Sequence, residues 1–170
     1  MSCLDTLYRQ TITLFNRIPG KDGEATKWIP TVIDGVHLIV TKSSSWNGHG
    51  GSASDDVKLN IRYKQSGSNA LVSCRASAED EAVCFKKWCE PKAWRRSSDR
   101  QESITFSFGE NDDFDFFIEG VFDDFVGPIS DQNFERRGFY NYMNAEYDNV
   151  FVITSVSKHD LIPHFEITAR

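Results

Sequence analysis

The stretch VKLNIRYKQ, residues 57–65, alternates apolar and polar side chains without interruption. One side carries Val57, Leu59, Ile61 and Tyr63, and the other carries Lys58, Asn60, Arg62 and Lys64. Successive side chains of a β-strand point to opposite faces, so this pattern predicts a strand with one buried and one solvated face. The rest of the chain is interpreted outward from this strand.

The same period of two recurs on both sides of this stretch. It is found in residues 8–17, 69–77, 104–108 and 149–170. The last of these reads as a terminal hairpin, with Phe165 and Ile167 in its returning strand. We count seven to nine short antiparallel strands, with one or two short helices and a long flexible loop, which predicts a mainly β fold, a small barrel or a sandwich.

The segment KWIPTVIDGVHLIVTK, residues 27–42, is rich in β-branched residues but contains two interruptions. Asp34-Gly35 is expected to form a tight hairpin or a bulge. Pro30 cannot donate a ladder hydrogen bond, so it is expected at a sheet edge or at a bulge.

Two segments lack clear strand periodicity. Residues 43–56 are rich in Ser and Gly and are predicted to form a flexible loop. Residues 75–103 form a charged, insertion-like segment, with a helical turn expected through residues 79–88. A second short helix is expected near residues 139–147.

Length and composition define the broad class. The 170 residues, 39% of them hydrophobic, fit a single soluble domain over residues 1–170 that buries a core without disulfides. The net charge of −6 disfavours nucleic acid as a general partner. No apolar run approaches the length of a membrane helix, and the first ten residues lack a signal-peptide pattern, so we expect no membrane partner and reduced thiols.

Residue types that carry chemistry are few and scattered. The spacing Cys74-x9-Cys84-x4-Cys89, with Cys3 and His49 as further candidates, lacks the paired knuckles of a zinc site. The four histidines are expected on the surface or in satisfied core positions, and no G-x-S-x-G elbow occurs. We therefore predict no catalytic residue, no metal ligand, no cofactor and no enzymatic activity.

Two segments of opposite charge lie in the second half of the chain. Residues 109–125 contain seven acids and no base, in a spacing that does not match a calcium loop. Residues 85–100 contain six bases, two acids and two tryptophans. The basic segment alone is either an exposed loop or a nucleic-acid-binding patch.

The two segments together suit a ring of identical subunits, because each interface in a ring joins two different surfaces of the same protein. The aromatic stretch GFYNYMNAEYDNVFVITSV, residues 138–156, is expected to place Phe139, Met143 and Phe151 in the core. A minority of its aromatic rings is expected to be exposed for contacts with a neighbouring subunit. The candidate interface residues are Trp46, Lys86, Lys87, Arg95, Arg96, Asp112, Asp113, Asp115, Tyr140 and Asn144.

Four stretches carry a family resemblance: TITLFNR, WIPTVIDGVHLIV, GFYNYMNAEYDNVFVITSV and IPHFEI. They resemble an uncharacterised family encoded by phages and prophages of Firmicutes, whose genes lie among head and head–tail morphogenesis genes and whose members are often labelled minor capsid proteins. The resemblance covers residues 8–63 and 104–168. Residues 43–56 and 75–100 depart from it.

The order of elements also resembles head-closure (stopper) proteins of long-tailed phages, which are small β-barrels. This resemblance implies a structural protein of the virion neck, made in the host cytoplasm, that forms a six- or twelve-fold homo-oligomeric ring. Its implied partners are portal or adaptor proteins, tail proteins and packaged DNA in the channel. A tail terminator or another neck or minor capsid protein is the alternative in the same class, and a nucleic-acid-binding module using residues 85–100 is the alternative in another.

Overall fold

The structure is a computed structural model that describes residues 6–47, 50–75, 82–109, 113–124, 127–135 and 137–170, and for residues 43–47 and 50–55 it describes the backbone. Within these residues, eleven strands form one sheet: β1 Gln10–Ile18, β2 Lys27–Asn47, β3 Gly50–Arg62, β4 Lys64–Ser66, β5 Asn69–Arg75, β6 Val83–Trp88, β7 Ser103–Ile104, β8 Phe116–Glu119, β9 Ile129–Ser130, β10 Val150–His159 and β11 His164–Ala169. Helix α1 spans Pro91–Arg96, a 3-10 helix spans Asp131–Phe134, and helix α2 spans Gly138–Glu146.

Six of these strands close into an antiparallel barrel in the order β1-β8-β10-β11-β3-β2. A sheet closes into a barrel when the first strand of the series pairs with the last strand as well as with the second. Strand β1 does this: Leu14 faces Phe117 of β8 and Thr31 of β2. A closed barrel leaves none of its six strands as a free edge along the paired residues.

Within the barrel, strand β2 pairs with two strands in turn, and it also makes short pairings with β5 and β9. Its first half, Lys27–Val36, pairs with β1, and its second half, from Val36 to Asn47, pairs with β3. The register with β1 shifts between Gln10 and Thr11, opposite Asp34-Gly35, where Gly35 has φ +66°. Of the two geometries expected at Asp34-Gly35, the structure has the bulge and not the hairpin, which lets one strand bend around a barrel corner.

The barrel interior is the main hydrophobic core. The alternation predicted for residues 57–65 is confirmed, because Val57, Leu59, Ile61 and Tyr63 are all buried. Phe165 of β11 is fully buried at the meeting point of three rings, with ring centroids 4.9–5.2 Å away. These rings belong to Tyr63, Trp88 and Phe106.

Strands β4 to β7 add a layer to this core. Ala70, Val72 and Cys74 of β5 are buried in the same cluster as the barrel interior. The layer is fastened at the β2 bulge, where the Arg75 guanidinium donates two hydrogen bonds, of 2.5 and 2.9 Å, to the Asp34 carboxylate. Burial works against ionisation of Asp34, but the hydrogen bonds from Arg75 and Thr11 hold its pKa below the usual range.

A second core lies between β1, β2, β8 and helix α2. It is built from aromatic residues: Phe15 stacks on Phe116 at 4.8 Å, and Phe139 of α2 meets Phe15 edge-on at 5.2 Å. Phe139 and Met143 are fully buried, as the sequence predicts. The ring-rich stretch is therefore chiefly a core element.

Most of the predicted architecture is confirmed, with four corrections. The fold is mainly β and barrel-shaped, the terminal hairpin is β10–β11, and the helix expected near 139–147 is α2. Residues 43–47 and 50–56 are paired strands and not a loop, and Val83–Trp88, predicted to be helical, is strand β6. The described residues form eleven strands in place of the seven to nine expected, because β4, β7 and β9 have only two or three residues each and are too short to show a period in the sequence. In addition, β6 pairs with β7 in parallel, whereas all strands were expected to be antiparallel.

Asp131 fixes α2 to the barrel, which leads to a stability prediction. Its Oδ1 accepts hydrogen bonds from Trp28 Nε1 at 2.8 Å and from the Phe139 backbone N–H at 2.9 Å. Because Asp131→Ala leaves both donors without this acceptor, we expect a loss of about 1–3 kcal/mol in the free energy of unfolding, measured by urea denaturation. Asp123→Ala, at an exposed carboxylate, is the matched control, and equal midpoints for the two variants would contradict the assignment.

Candidate interaction surfaces

The β2–β3 hairpin extends past the barrel. The pairing of β1 with β2 stops at Val36, and the pairing of β11 with β3 stops at Val57. From Thr41↔Asp56 to Asn47↔Gly50, the two strands pair only with each other among the described residues. Seven residues on each strand give a two-stranded ribbon about 20 Å long.

The ribbon, residues 41–47 and 50–56, has an unusual composition for a paired structure. It consists mainly of Ser, Gly, Ala and Asp. A lone two-stranded ribbon is marginally stable in water, and flat, polar strands specify their register weakly. The Trp46 backbone is in the ribbon, opposite Gly51, whereas its side chain lies outside the described residues.

Asp115, predicted as an interface residue, is fully buried. Its carboxylate accepts hydrogen bonds from the Arg17 and Ser107 backbone N–H groups, at 2.8 and 2.7 Å, and from Asn16 Nδ2 at 2.9 Å. Burial raises the pKa of Asp115 to about 7, against the opposing effect of these hydrogen bonds. The group joins β1 to the segment that follows β7, so its interface assignment is wrong.

Lys86 is also unavailable to a partner. It points inward from β6, is 9% exposed, and donates a hydrogen bond from Nζ to Thr31 Oγ1 at 2.9 Å. Burial lowers the pKa of Lys86. Its neighbours Cys74 and Cys84 form a cross-strand pair of free thiols with 3.2 Å between the sulfurs, and burial raises the pKa of Cys74 to about 12.

The oppositely charged segments meet within one chain. Arg95 at the end of α1 forms a salt bridge with Asp113. Asp112 lies outside the described residues. Lys87 and Arg96 remain exposed. Arg95 and Asp113, which belong to segments expected to face each other across a subunit interface, therefore pair within one subunit.

The basic segment lines a cleft with the β1–β2 turn. A cavity of about 560 Å³ is bordered by the cations Lys21, Lys92, Arg95, Arg96 and Arg100, with Glu24 as the acidic residue of the lining. Neither tryptophan of the segment is presented for stacking, because Trp94 is 1% exposed and Trp88 packs on Phe165. The cleft therefore offers charge for an anion but no aromatic platform.

Helix α2 divides its aromatic residues between the core and the surface. Tyr140 is half-buried, and its ring packs edge-on against Phe114 at 4.8 Å and Phe116 at 5.2 Å. Asn144 is exposed on the outer side of the helix. Asn144 thus remains free for a contact, whereas Tyr140 is mainly a packing residue.

Strand β6 presents an apolar edge that the sequence interpretation missed. Val83 and Phe85 are 63% and 54% exposed. On the side away from β5, β6 pairs with β7 only at Lys87 and Trp88, so Val83–Lys86 has no second strand neighbour within the described part of the chain. The sequence V-C-F-K-K-W does not alternate apolar and polar residues, and the β-formers Val83 and Phe85 were the available signal for a strand in place of the helix predicted over residues 79–88.

Three ligand-type side chains also converge at one end of the β10–β11 hairpin. His159, His164 and Glu166 bring one nitrogen or oxygen atom each within 4.8 Å of one another. The interpretation of the histidines as scattered is wrong for this pair. The spacing H-x-E in β11 was the signal, because residues two apart on a strand share a face.

The fold and these surfaces define a small barrel protein with a projecting two-stranded ribbon. The chain belongs to DUF6751, a family of unknown function whose model matches residues 7–170. No curated protein and no solved structure matches the chain. Within the described residues, no helix combines the length and the apolar character that crossing a membrane requires.

The buried carboxylate gives a pH prediction. Because the pKa of Asp115 in the folded protein is about 7, above its ordinary value, the folded state holds a proton there that the unfolded chain releases. The free energy of unfolding is therefore expected to fall by about 1.4 kcal/mol per pH unit as pH rises from 4 to 7, relative to Asp115→Asn. Urea denaturation across this range measures it, with Asp123→Asn as the exposed control. Parallel pH profiles for the wild type and Asp115→Asn would contradict the prediction.

Proposed function

We propose that this chain is a structural protein of a tailed-phage virion, a head-closure component that forms a ring between the portal or adaptor and the tail. The observation that carries the proposal is the ribbon: a closed barrel supplies a rigid wall element, and the paired strands of residues 41–47 and 50–56 reach beyond it. The family resemblance described above supports the same role. A tail terminator or another neck or minor capsid protein is the alternative within this class.

The ribbon suits a function in an assembly better than in an isolated chain. Its two strands have no neighbour besides each other among the described residues, and a two-stranded ribbon needs further packing to be firmly ordered. In a ring whose copies point their ribbons toward the axis, each ribbon could pack on the next. The small side chains of this segment allow close approach of backbones.

The edge of β6 supplies a candidate subunit contact. Exposed Val83 and Phe85 lie on the strand edge of residues 83–86, which has no second strand neighbour among the residues that the structure describes, and natural proteins rarely leave such an edge uncovered. A second copy is the proposed occupant, since a ring joins two different surfaces of the same protein. Lys87, which follows on the same strand face, adds a charge to the rim of this contact.

The decisive experiment shortens the ribbon in the phage that encodes the protein. Residues 44–53 are replaced by an Asn-Gly turn, which leaves the barrel pairings from Val57 onward intact. We expect the purified variant to keep the thermal midpoint of the wild type. We expect the mutant phage to give DNA-filled heads that leak or lack tails, and infectious titre to fall at least about a hundredfold, as for loss of a pre-organised contact set.

The matched control keeps the ribbon length and changes Ser44, Ser45 and Ser52 to Thr, which are good strand formers. Its titre is expected to equal that of the wild type. Normal titre for the shortened variant would reject the role of the ribbon. Absence of the chain from purified particles by mass spectrometry would reject the virion assignment as a whole, and its location within reconstructed particles would separate head closure from tail termination.

The cation-lined cleft favours a second candidate function, nucleic-acid binding through residues 85–100. Five cations and one carboxylate border the cleft, on a chain whose net charge is −6, and one of the cations, Arg95, is paired with Asp113. A local concentration of this kind attracts phosphates even on an acidic protein. The buried Trp94 and the packed Trp88 argue for contact with the phosphate backbone alone.

This second candidate predicts salt-dependent DNA binding that depends on the cleft. In fluorescence anisotropy at several salt concentrations, Lys92→Ala/Arg96→Ala is expected to reduce the slope of log affinity against log salt by about one per lost phosphate contact. Lys64→Ala, an exposed lysine on β4, is the control. A slope unchanged in the double variant, or no binding at low salt, would reject this candidate.

A further inference from the structure

We infer that the turn end of the β10–β11 hairpin is a binding site for a divalent transition-metal ion, with His159, His164 and Glu166 as its ligands. The three side chains offer two imidazole nitrogens and one carboxylate oxygen, all within 4.8 Å of one another. Zinc, cobalt, nickel and copper ions prefer this donor set. The inference does not rest on the proposed function.

Strand pairing produces the convergence. His159 and His164 are directly opposite each other across the antiparallel ladder, and their rings stack at a centroid distance of 4.6 Å with 12° between planes. Glu166 follows His164 by two residues and therefore shares its face. Donor atoms bound to one ion are about 3.3 Å apart at a ligand distance of about 2.0 Å, closer than the limit of 4.8 Å within which the three atoms lie. Because the lone pair of an imidazole nitrogen lies in the ring plane, binding also requires the two stacked rings to turn toward the ion about their side-chain torsions.

The hydrogen bonding of His164 leaves one ring nitrogen prepared for a metal. Its Nδ1 is 2.7 Å from the backbone carbonyl oxygen of Ile162, which can only accept. Nδ1 therefore carries the proton in the neutral ring, and Nε2 keeps its lone pair. A metal-binding histidine is typically oriented in this way, by donating its other N–H to a carbonyl or carboxylate.

The backbone at the site is held by contacts on the other side of the strands. The Tyr63 hydroxyl donates to the His159 carbonyl at 2.9 Å and lies 2.6 Å from Asp160 Oδ1, and the Tyr63 N–H donates to the Pro163 carbonyl at 3.3 Å. Phe165, which lies between His164 and Glu166 in the sequence, is fully buried. Because successive side chains of a strand point to opposite faces, His164 and Glu166 point outward. The ligands therefore stand on a framework that exists without the ion.

The neighbouring charges permit a cation at this position. Arg62 on β3 is opposite His164, but its guanidinium lies over the Tyr8 ring at 3.9 Å, and Asn60 is opposite Glu166. Lys158 is engaged in a salt bridge with Asp160 at 2.7 Å. His159 and Glu166 are exposed and His164 is half-buried, so an ion entering from solvent would keep at least one position open for water or another donor.

Calorimetric titration of the untagged, reduced protein with Zn²⁺ tests the site. We expect one ion per chain in the micromolar range and a higher thermal midpoint in its presence, because an ion that binds only the folded state stabilises it. His159→Gln and His164→Gln are each expected to weaken binding at least about tenfold, and Glu166→Gln to weaken it less. His37→Gln, which alters another histidine on the outside of the barrel, is the matched control and is expected to bind as the wild type does.

Cobalt gives a second readout that separates this site from the thiols. Co²⁺ bound through imidazole and carboxylate is expected to show visible d–d bands without a thiolate charge-transfer band in the near ultraviolet. Binding that survives the His159→Gln/His164→Gln double variant, or a thiolate band abolished by Cys89→Ser, would overturn the assignment. So would the absence of saturable zinc binding by a wild-type protein shown to be folded.

Discussion

Closure of the barrel through β1 is the constraint on which the rest of the structure depends. Strand β1 pairs with β8 on one side and with β2 on the other, and these two pairings turn an open sheet into a closed one. Its inward side chains, Ile12 and Leu14, fill the barrel, while Phe15 on the outward face begins the second core under α2. Without closure, the two hydrophobic cores would lose strand β1, which packs against one core on its inner face and against the other on its outer face.

The bulge at Asp34-Gly35 allows this closure and also fastens the β4–β7 layer to the barrel. There β2 leaves β1 and continues with β3, and the Asp34 carboxylate accepts hydrogen bonds from the Thr11 hydroxyl of β1 and from the guanidinium of Arg75 of β5. One irregular dipeptide thus joins the barrel corner, the β4–β7 layer and the start of the strand that becomes the ribbon. Bulges commonly re-aim strands at such corners.

Charged residues in this protein often serve internal structure. Asp115 is fully buried and binds backbone N–H groups from two segments, Lys86 is buried against Thr31, and Arg95 is paired with Asp113. Each of these was a plausible surface contact when only the linear pattern of charge was considered. The candidate interaction surfaces are instead created by the tertiary fold. They are the ribbon, the apolar edge of β6, the cation-lined cleft, and the hairpin end that carries His159 and His164.

The sequence by itself determined the elements whose periodicity is strong. Alternation over residues 57–65, the terminal hairpin and the i, i+4 pair Phe139 and Met143 of α2 each follow from the local geometry of a strand or a helix, and the barrel or sandwich class follows from their number. These signals are local, because every residue that creates them belongs to the same element.

Tertiary structure alone decided the features that depend on distant partners. Residues 43–56 looked like a loop because Ser and Gly have weak strand preferences, yet the β2–β3 register beginning in the barrel propagates into them. Residues 83–88 carry charges that suit a helix, but pairing with β5 makes them a strand whose Lys86 is buried. The burial of Asp115 and the meeting of His159 with His164 likewise depend on which strands become neighbours, and a linear pattern of residues does not contain that information.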